Sequence, residues 1–288
     1  MSPNTFAGAS LDRVSWRRTD AAFLAECASD PRARALVTVG GELAVGDDGQ
    51  PVEVALGTVA PLDGTEPAFL GLRGGDRPLY AIEAATVPGG ARSASLRDLA
   101  PLLTQEGGGT VAYATAIGNW HRSHRFCANC GHATEVVSCG FQRTCPRCGA
   151  HHFPRVDPVV IMLVVDPSRD RVLLGRQSTW ATGRYSCLAG FVEPGESLEE
   201  AVAREVAEES AVTVDEVAYR SSQPWPFPAQ LMLGFRCRYV GGGPYRRDGE
   251  LEDVRWFERE ELADGSAILP PPLAIARVLI DEWIEEGS

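Results

Sequence analysis

Apolar positions along this chain change their spacing midway. Up to about residue 105 they come in short runs: Ala35-Leu-Val-Thr-Val39, Val52-Glu-Val-Ala-Leu56, Ala68-Phe-Leu-Gly-Leu72 and Tyr80-Ala-Ile-Glu-Ala84. Gly-Gly, Asp-Asp-Gly and Pro-Gly breaks separate them, the pattern of strands joined by tight turns. The run Gln105-Glu-Gly-Gly-Gly109 reads as a linker, and residues 111–121 read as a helix. From residue 156 the pattern becomes mixed α/β. Val159-Val-Ile-Met-Leu-Val-Val165 is apolar throughout, as a strand buried on both faces requires, and Asp166-Pro167 closes it. Val172-Leu-Leu-Gly175 suits its hairpin partner. Ser197-Leu-Glu-Glu200 is a capping-box pattern, so a helix should start one residue after Glu196. Val202 and Val206 would form its apolar stripe, turned away from the acidic residues that follow. Leu231-Met-Leu-Gly-Phe-Arg-Cys-Arg-Tyr239 predicts another strand, and Pro270-Pro-Pro272 precedes an amphipathic helix over residues 273–285.

A length of 288 residues favours two or three units over one, and 44% hydrophobic residues supply real cores. No apolar run reaches the ~18 residues of a membrane span, and Met1-Ser-Pro-Asn-Thr-Phe6 lacks a basic-then-apolar leader. A cytoplasmic protein without a membrane partner is expected. The net charge of −12 argues against general adhesion to nucleic acid. All 27 basic residues are arginine, and five of them lie between residues 121 and 155 with Glu135 as the only acid there. That local reversal makes RNA contact physically plausible, although a solvated basic face explains it equally well.

Of eight cysteines, four stand in Cys127-Ala-Asn-Cys130 and Cys145-Pro-Arg-Cys148, with 14 residues between the pairs. Each turn ends in glycine, Gly131 or Gly149, which lets the backbone wrap a tetrahedral ion. Four thiolates so spaced suit one structural Zn²⁺. Disulfides are disfavoured in a reducing compartment, and a redox pair has no need of two copies. Cys27, Cys139, Cys187 and Cys237 read as unliganded thiols, with Cys139 the competitor to watch. All five histidines fall between His121 and His152, interleaved with these cysteines; one could supplant a cysteine ligand, but they are assigned solvated or stacking roles.

The chemistry-bearing stretch is Gly190-Phe-Val-Glu-Pro-Gly-Glu196, seven residues, then Arg204-Glu-Val-Ala-Glu-Glu209. On a helix Glu205, Glu208 and Glu209 share a face, where like charges repel. A hard cation reverses the sign of that interaction, because Mg²⁺ and Mn²⁺ prefer carboxylate oxygens and bridge to phosphates. The pattern resembles the Nudix box in every position but one: Ser210-Ala211-Val212 stands where the family has x-Gly-apolar. Downstream lies Ser222-Gln-Pro-Trp-Pro-Phe-Pro228, whose prolines make a stiff segment able to hold aromatic faces and an amide in place. Box, four-cysteine ribbon and this segment together resemble the NADH pyrophosphatase branch of the Nudix hydrolases, which also removes NAD caps from RNA. The resemblance covers roughly residues 120–285.

It implies an α/β (α+β) fold: a Nudix α/β/α sandwich with a mixed sheet over residues 155–288. A zinc ribbon over 121–154 precedes it, as does a divergent, non-catalytic Nudix-like α/β domain over 1–120. It implies Glu205, Glu208, Glu209 and Glu250 as ligands of catalytic Mg²⁺ or Mn²⁺, with Glu252 competing with Glu250. Phe191 would stack on the nicotinamide-side base, and Phe153 of a second subunit would complete the sandwich in a homodimer. Gln223, Trp225, Ile161, Gln230, Met232 and Ala276 would line the remaining pocket. Gly190 and Glu196 shape the loop, and Arg204 holds the box glutamates by ion pairs. The implied reaction cuts NAD(H) to NMN(H) and AMP, or NAD-capped RNA to NMN and 5′-monophosphate RNA. A glutamate of the set, Glu209 foremost, would take the proton of the attacking water. Two rivals stand beside it: a Nudix diphosphatase for ADP-ribose, FAD or diadenosine polyphosphates, and a catalytically impaired zinc-ribbon binding protein.

Overall fold

The computed structural model describes residues 4–245, 250–265 and 267–286. The chain divides into two compact units, one of residues 6–156 and 224–229, the other of residues 157–223 and 230 onward together with residues 4–5.

In the first unit a six-stranded sheet runs in the order Ala68–Arg73, Arg77–Glu83, Arg34–Val39, Glu42–Val45, Arg92–Ala94, with Glu53–Ala55 also on Arg34–Val39. The strands Arg34–Val39 and Arg77–Glu83 are parallel, and the remaining pairings are antiparallel. Alternate residues Ala35, Val37, Tyr80 and Ile82 enter one core with Phe23 and Phe69, the period of two expected of a strand. The helix Gln105–Ser123 begins where a linker was expected, and the side chain of Thr104 caps it by accepting from the Gly107 N–H. Its glycines serve close approach. A Cβ on Gly109 would stand 2.5 Å from the Ala9 nitrogen, and one on Gly118 would stand 2.5 Å from Thr38 Oγ1. Packing that dense offsets the low helix propensity of glycine.

In the second unit a six-stranded mixed sheet is ordered Val212–Trp225, Gln230–Gly242, Asp157–Asp166, Arg171–Arg176, Asp253–Glu258, with Leu188–Phe191 also on Asp157–Asp166. Asp157–Asp166 runs parallel to Gln230–Gly242 and antiparallel to Arg171–Arg176 and Leu188–Phe191. Its apolar run splits by parity. Val160, Met162 and Val164 pack with Ala201, Val202 and Val206 of the helix Leu198–Ser210. Ile161, Leu163 and Val165 pack with Leu279, Ile280 and Trp283 of the helix Ile275–Glu285. A helix therefore covers each face, which is the three-layer sandwich the sequence resemblance implies.

Leu198–Ser210 carries the full capping box, Ser197 and Glu200 each accepting from the other's backbone N–H. It ends at Ala211 in the left-handed region, φ 55° and ψ 22°, with its N–H donated to the Ala207 carbonyl. This is the position where a Nudix box has glycine. An L-residue there costs roughly 1–2 kcal/mol, and glycine's larger unfolded-state entropy offsets part of that gain. Ala211→Gly should therefore raise stability by about 1 kcal/mol, visible as a higher denaturation midpoint, and leave turnover within a small factor. A large gain in turnover at unchanged stability would mean that alanine distorts the box.

Candidate functional site

The strand Leu188–Phe191 lies against the helix Leu198–Ser210, and residues 192–197 connect them. Gly190 makes the approach possible, since a Cβ there would fall 1.9 Å from the carboxylate carbon and Oε1 of Glu205. Arg204 then fastens the connection. Its Nε and Nη2 donate to Glu196 at 2.6 and 2.9 Å, and Nη1 donates to Glu205 at 2.8 Å and to Glu208 at 3.0 Å. Nη2 also donates to the Phe191 carbonyl at 2.9 Å. A guanidinium has five N–H donors in a fixed fork, and here they tie the loop to the acidic helix face. Glu196 also accepts the Glu193 N–H at 3.0 Å. Arg204 first, then that N–H, hold its carboxyl down at about 2.

The helix glutamates occupy different environments. Glu209 is 4% exposed, whereas the side chains of Glu205 and Glu208 are 14% and 51% exposed. Glu209 belongs with Ala201, Val202 and Val206 among the buried residues of its helix. The sequence expectation that the apolar stripe turns away from the acids thus needs correcting: Glu205 and Glu209 follow Ala201 at successive intervals of four and edge that stripe. Burial raises the pKa of Glu205, Arg204 opposes the rise, and the charges of Glu208 and Glu250 add to it. Glu250 is therefore near enough for Glu205 to sense it. Its sequence competitor Glu252 is otherwise engaged, paired with Arg176 at 2.6 Å while Arg176 also donates to the Ala181 and Trp180 carbonyls. The partners Arg176 and Glu252 lie 76 residues apart, and no local pattern announces their contact.

Carboxylate oxygens on the helix face beside Gly190, where a Cβ would fill the space that Glu205 occupies, have the chemistry that a hard divalent ion prefers. Among the described residues the glutamate oxygens do not themselves converge as tightly as the ribbon sulfurs do. The Arg204 guanidinium supplies the positive charge shared by Glu205 and Glu208.

The residues assigned to substrate by resemblance fall into different environments. Phe191 and Phe153 are 53% and 64% exposed, so each ring has a free face. Ile161 and, on the helix Ile275–Glu285, Ala276 are buried in one core, and Met232 packs against that core. Gln223 is 1% exposed. Its amide nitrogen donates to the carbonyls of Thr5 and Leu273 at 3.0 and 2.7 Å, and its oxygen accepts the Ile275 N–H at 2.9 Å. The side chain is thus a brace at the start of a helix, its amide held in place by backbone partners. Trp225 lies in the first unit with Phe6 and Phe227, ring centroids 5.9 and 5.0 Å away. Gln230 opens a strand opposite Asp157 and is half-buried.

In the ribbon, Cys127, Cys130, Cys145 and Cys148 bring their sulfurs within 4.8 Å of one another. Each pair sits on a turn whose N–H groups fold back, Gly131 to Cys127 and Gly149 to Cys145, both at 2.9 Å. Gly131 and Gly149 have φ of 71° and 73°, which glycine adopts without penalty. Four convergent sulfurs fit zinc. Cys139 stays outside the set, and burial pushes its thiol up to about 11. His152 comes beside the set without replacing a cysteine in it, with Nε2 3.4 Å from Cys127 Sγ, where an imidazole N–H supports a thiolate.

Two basic residues of this region are internal. Arg143 is fully buried, donating to Thr134, to the Gly64 carbonyl and to His121 Nδ1. His121 is 2% exposed, and of the solvated or stacking roles expected it takes the second, its ring 4.8 Å from that of Trp120 between centroids. A guanidinium only donates and a carbonyl only accepts, so Nδ1 accepts from Arg143 while Nε2–H donates to the Gly140 carbonyl. Burial first, then the Arg143 charge, lowers the His121 pKa to about 4. Unfolded histidine titrates near ~6.5, so between the two values the unfolded chain binds more protons and stability rises with pH. The contribution is complete above about pH 6.5 and is lost as pH falls toward 4, by about 3 kcal/mol in all. Denaturation midpoints across that window should slope less in His121→Gln; an unchanged slope would exclude His121 as the cause.

Comparison with known proteins agrees with this arrangement. Residues 155–277 match the model of the NUDIX domain, and residues 122–153 match that of the NADH pyrophosphatase zinc ribbon domain. The NAD-capped RNA hydrolase NUDT12 of Macaca fascicularis is 44% identical over 197 residues, which are 63% of this chain and 43% of that protein. The chain thus spans less than half the length of that relative. The NAD-capped RNA hydrolase NudC of Mycobacterium bovis is 39% identical over 239 residues, 76% of this chain and 75% of its own. A solved Nudix hydrolase from Nitrosomonas europaea superposes on 56% of this chain and 91% of its own, with 22% identity and a TM-score of 0.44. With the ribbon and the catalytic fold in sequence order, and a relative at that identity over three quarters of both lengths, the chain belongs to the Nudix hydrolase family, in the branch that carries the NADH pyrophosphatase zinc ribbon.

Proposed function

We propose that this chain hydrolyses the pyrophosphate bond of NAD(H), giving NMN(H) and AMP, and removes NAD caps from RNA, leaving NMN and 5′-monophosphate RNA. The observation that carries this reading is the glutamate face of Leu198–Ser210 set against Gly190, in a family whose relatives bear the name NAD-capped RNA hydrolase. Glu205, Glu208, Glu209 and Glu250 would hold Mg²⁺ or Mn²⁺. Such an ion supplies Lewis-acid neutralisation of the phosphoanhydride charge. The chain's own part is to position and to move a proton. Arg204 and Glu196 fix the loop, and a glutamate of the set, Glu209 foremost, accepts the proton of the attacking water. Clustered acids titrate together, so that step belongs to the set. Ala211 takes the left-handed backbone conformation that a glycine at this position would adopt without penalty, which supports a working box over an impaired one.

The exposed rings of Phe191 and Phe153 support a homodimer in which Phe153 of one subunit and Phe191 of the other enclose the base. A reducing, cytoplasmic setting accords with a four-thiolate ribbon. No helix among the described residues is long and apolar enough to cross a membrane.

Turnover of NADH, NAD⁺, FAD, ADP-ribose and NAD-capped RNA with Mg²⁺ or Mn²⁺, read by product chromatography, tests the assignment. NADH and capped RNA should lead, with NMN-type products. Phe153→Ala should lower NADH turnover by about one to two orders of magnitude, the worth of one stacking contact of roughly 1–3 kcal/mol. Faster cleavage of FAD or ADP-ribose would replace this function with a rival one. A fully active monomer by light scattering would remove the shared pocket.

A further inference from the structure

Outside the catalytic unit, the sheet of residues 6–156 carries a cavity of about 360 Å³ lined by Arg32, Arg34, Arg73, Arg77, Glu53 and Leu79. The pairing register puts its charges on one face. Arg73 stands directly opposite Arg77, Arg34 opposite Leu79, and Glu53 opposite Leu36. Like charges opposed across antiparallel strands destabilise the pair, and neutralisation here is incomplete. Glu53 takes Arg73 in a two-pronged pair at 2.7 and 2.9 Å. Asp30 and Asp76 take Arg32 at 2.9 and 2.7 Å. Among the described residues Arg34 has no ion pair; it hydrogen-bonds the backbone carbonyls of Pro31 and Ala33 at 3.0 and 2.9 Å, and the Asp30 carboxylate, already bound to Arg32, feels its charge. Arg77 has no ion pair among the described residues. Two guanidinium charges therefore remain at a concave site with an apolar floor, in a chain whose net charge is −12. Planar forks of N–H donors match phosphoryl oxygens in geometry as well as in charge.

We propose that this cavity is a phosphate-binding site, with Arg34 and Arg77 as its principal cations. Its ligand is a phosphoryl group, carried either by an RNA backbone or by a free mononucleotide. The site lies beyond the hydrolysis proposed above and is tested by binding alone, so either inference can fail while the other stands.

The test compares the chain with Arg34→Gln/Arg77→Gln by fluorescence anisotropy with a 5′-monophosphate RNA 12-mer and by calorimetry with AMP and inorganic phosphate. If RNA supplies the phosphate, the double variant binds the 12-mer about tenfold more weakly at low salt. The slope of log affinity against log salt should fall by about 1.4, two contacts at roughly 0.7 each on a single strand. If a mononucleotide supplies it, AMP and phosphate lose affinity while the RNA slope is unchanged. NADH hydrolysis stays as before in both cases. Arg34→Lys/Arg77→Lys, which keeps the charge, should recover most of the binding and guards against a folding artefact. Equal affinities and equal salt slopes for all three ligands in chain and variant would overturn the site.

Discussion

Glu209→Gln is expected to lower pyrophosphate turnover by roughly 10²–10⁴-fold, the usual worth of a positioned acid or base, while the protein stays folded. Glutamine keeps the shape of the side chain and removes the charge. Glu209 is 4% exposed on the edge of the apolar stripe, where a carboxylate is costly to bury and a neutral amide less so. Losing the Glu209 charge also removes whatever repulsion it adds to a helix face that carries Glu205 and Glu208. Without divalent ion, the variant should therefore unfold at a denaturant concentration no lower than the parent does. The divalent-ion dependence is the sharper readout. Turnover in the parent should saturate with Mg²⁺ or Mn²⁺ at lower concentration than in the variant, because one donor oxygen has become a weaker ligand. Near-parental turnover at saturating ion would remove Glu209 from the site.

The catalytic unit was legible in sequence because its signals are local. The unbroken apolar strand over residues 159–165, the capping box at Ser197 and the spacing from Gly190 to Glu209 each act within a few turns of chain. The four-cysteine ribbon is equally local, with each pair closed by its own glycine. What escaped depends on tertiary contact. The strand Val212–Trp225 is mostly half-buried or exposed, so its alternation is faint. The glycines at 107–109 resemble a linker until the Ala9 backbone comes to rest against Gly109. Glycine marks both freedom and close approach, and sequence alone does not distinguish them.

The candidate site shows the same division. Acid identity and spacing were readable, but the difference between buried Glu209 and half-exposed Glu208 comes from the sheet beneath. Gln223 looked like a recognition amide because it lies in a segment stiffened by prolines and flanked by aromatic residues. Its actual partners, Thr5, Leu273 and Ile275, are 50 or more residues away. Likewise, a basic count over the ribbon suggested a charged surface, yet Arg143 spends its charge inside, on His121 and backbone carbonyls.

Gly190→Ala provides the most direct test of how strand and helix build the acidic cleft. The added methyl would stand 1.9 Å from the Glu205 carboxylate, far inside contact distance. Glu205 has little room to yield, since its side chain is 14% exposed and tied to Arg204 at 2.8 Å. Arg204 is in turn committed to Glu196, Glu208 and the Phe191 carbonyl. The methyl therefore displaces either the carboxylate or the end of the strand, and a shift of about 1 Å in a catalytic constellation costs about 10²-fold in rate. A hundredfold loss in turnover and a weaker affinity for Mn²⁺ by calorimetry are expected together, with a stability loss of about 1–3 kcal/mol from overpacking. The two effects are separable: an added Glu205→Asp, which shortens the crowded side chain, should recover stability without recovering turnover. If Gly190→Ala alone left both turnover and Mn²⁺ affinity intact, the close approach of Gly190 to Glu205 would have no part in forming the site.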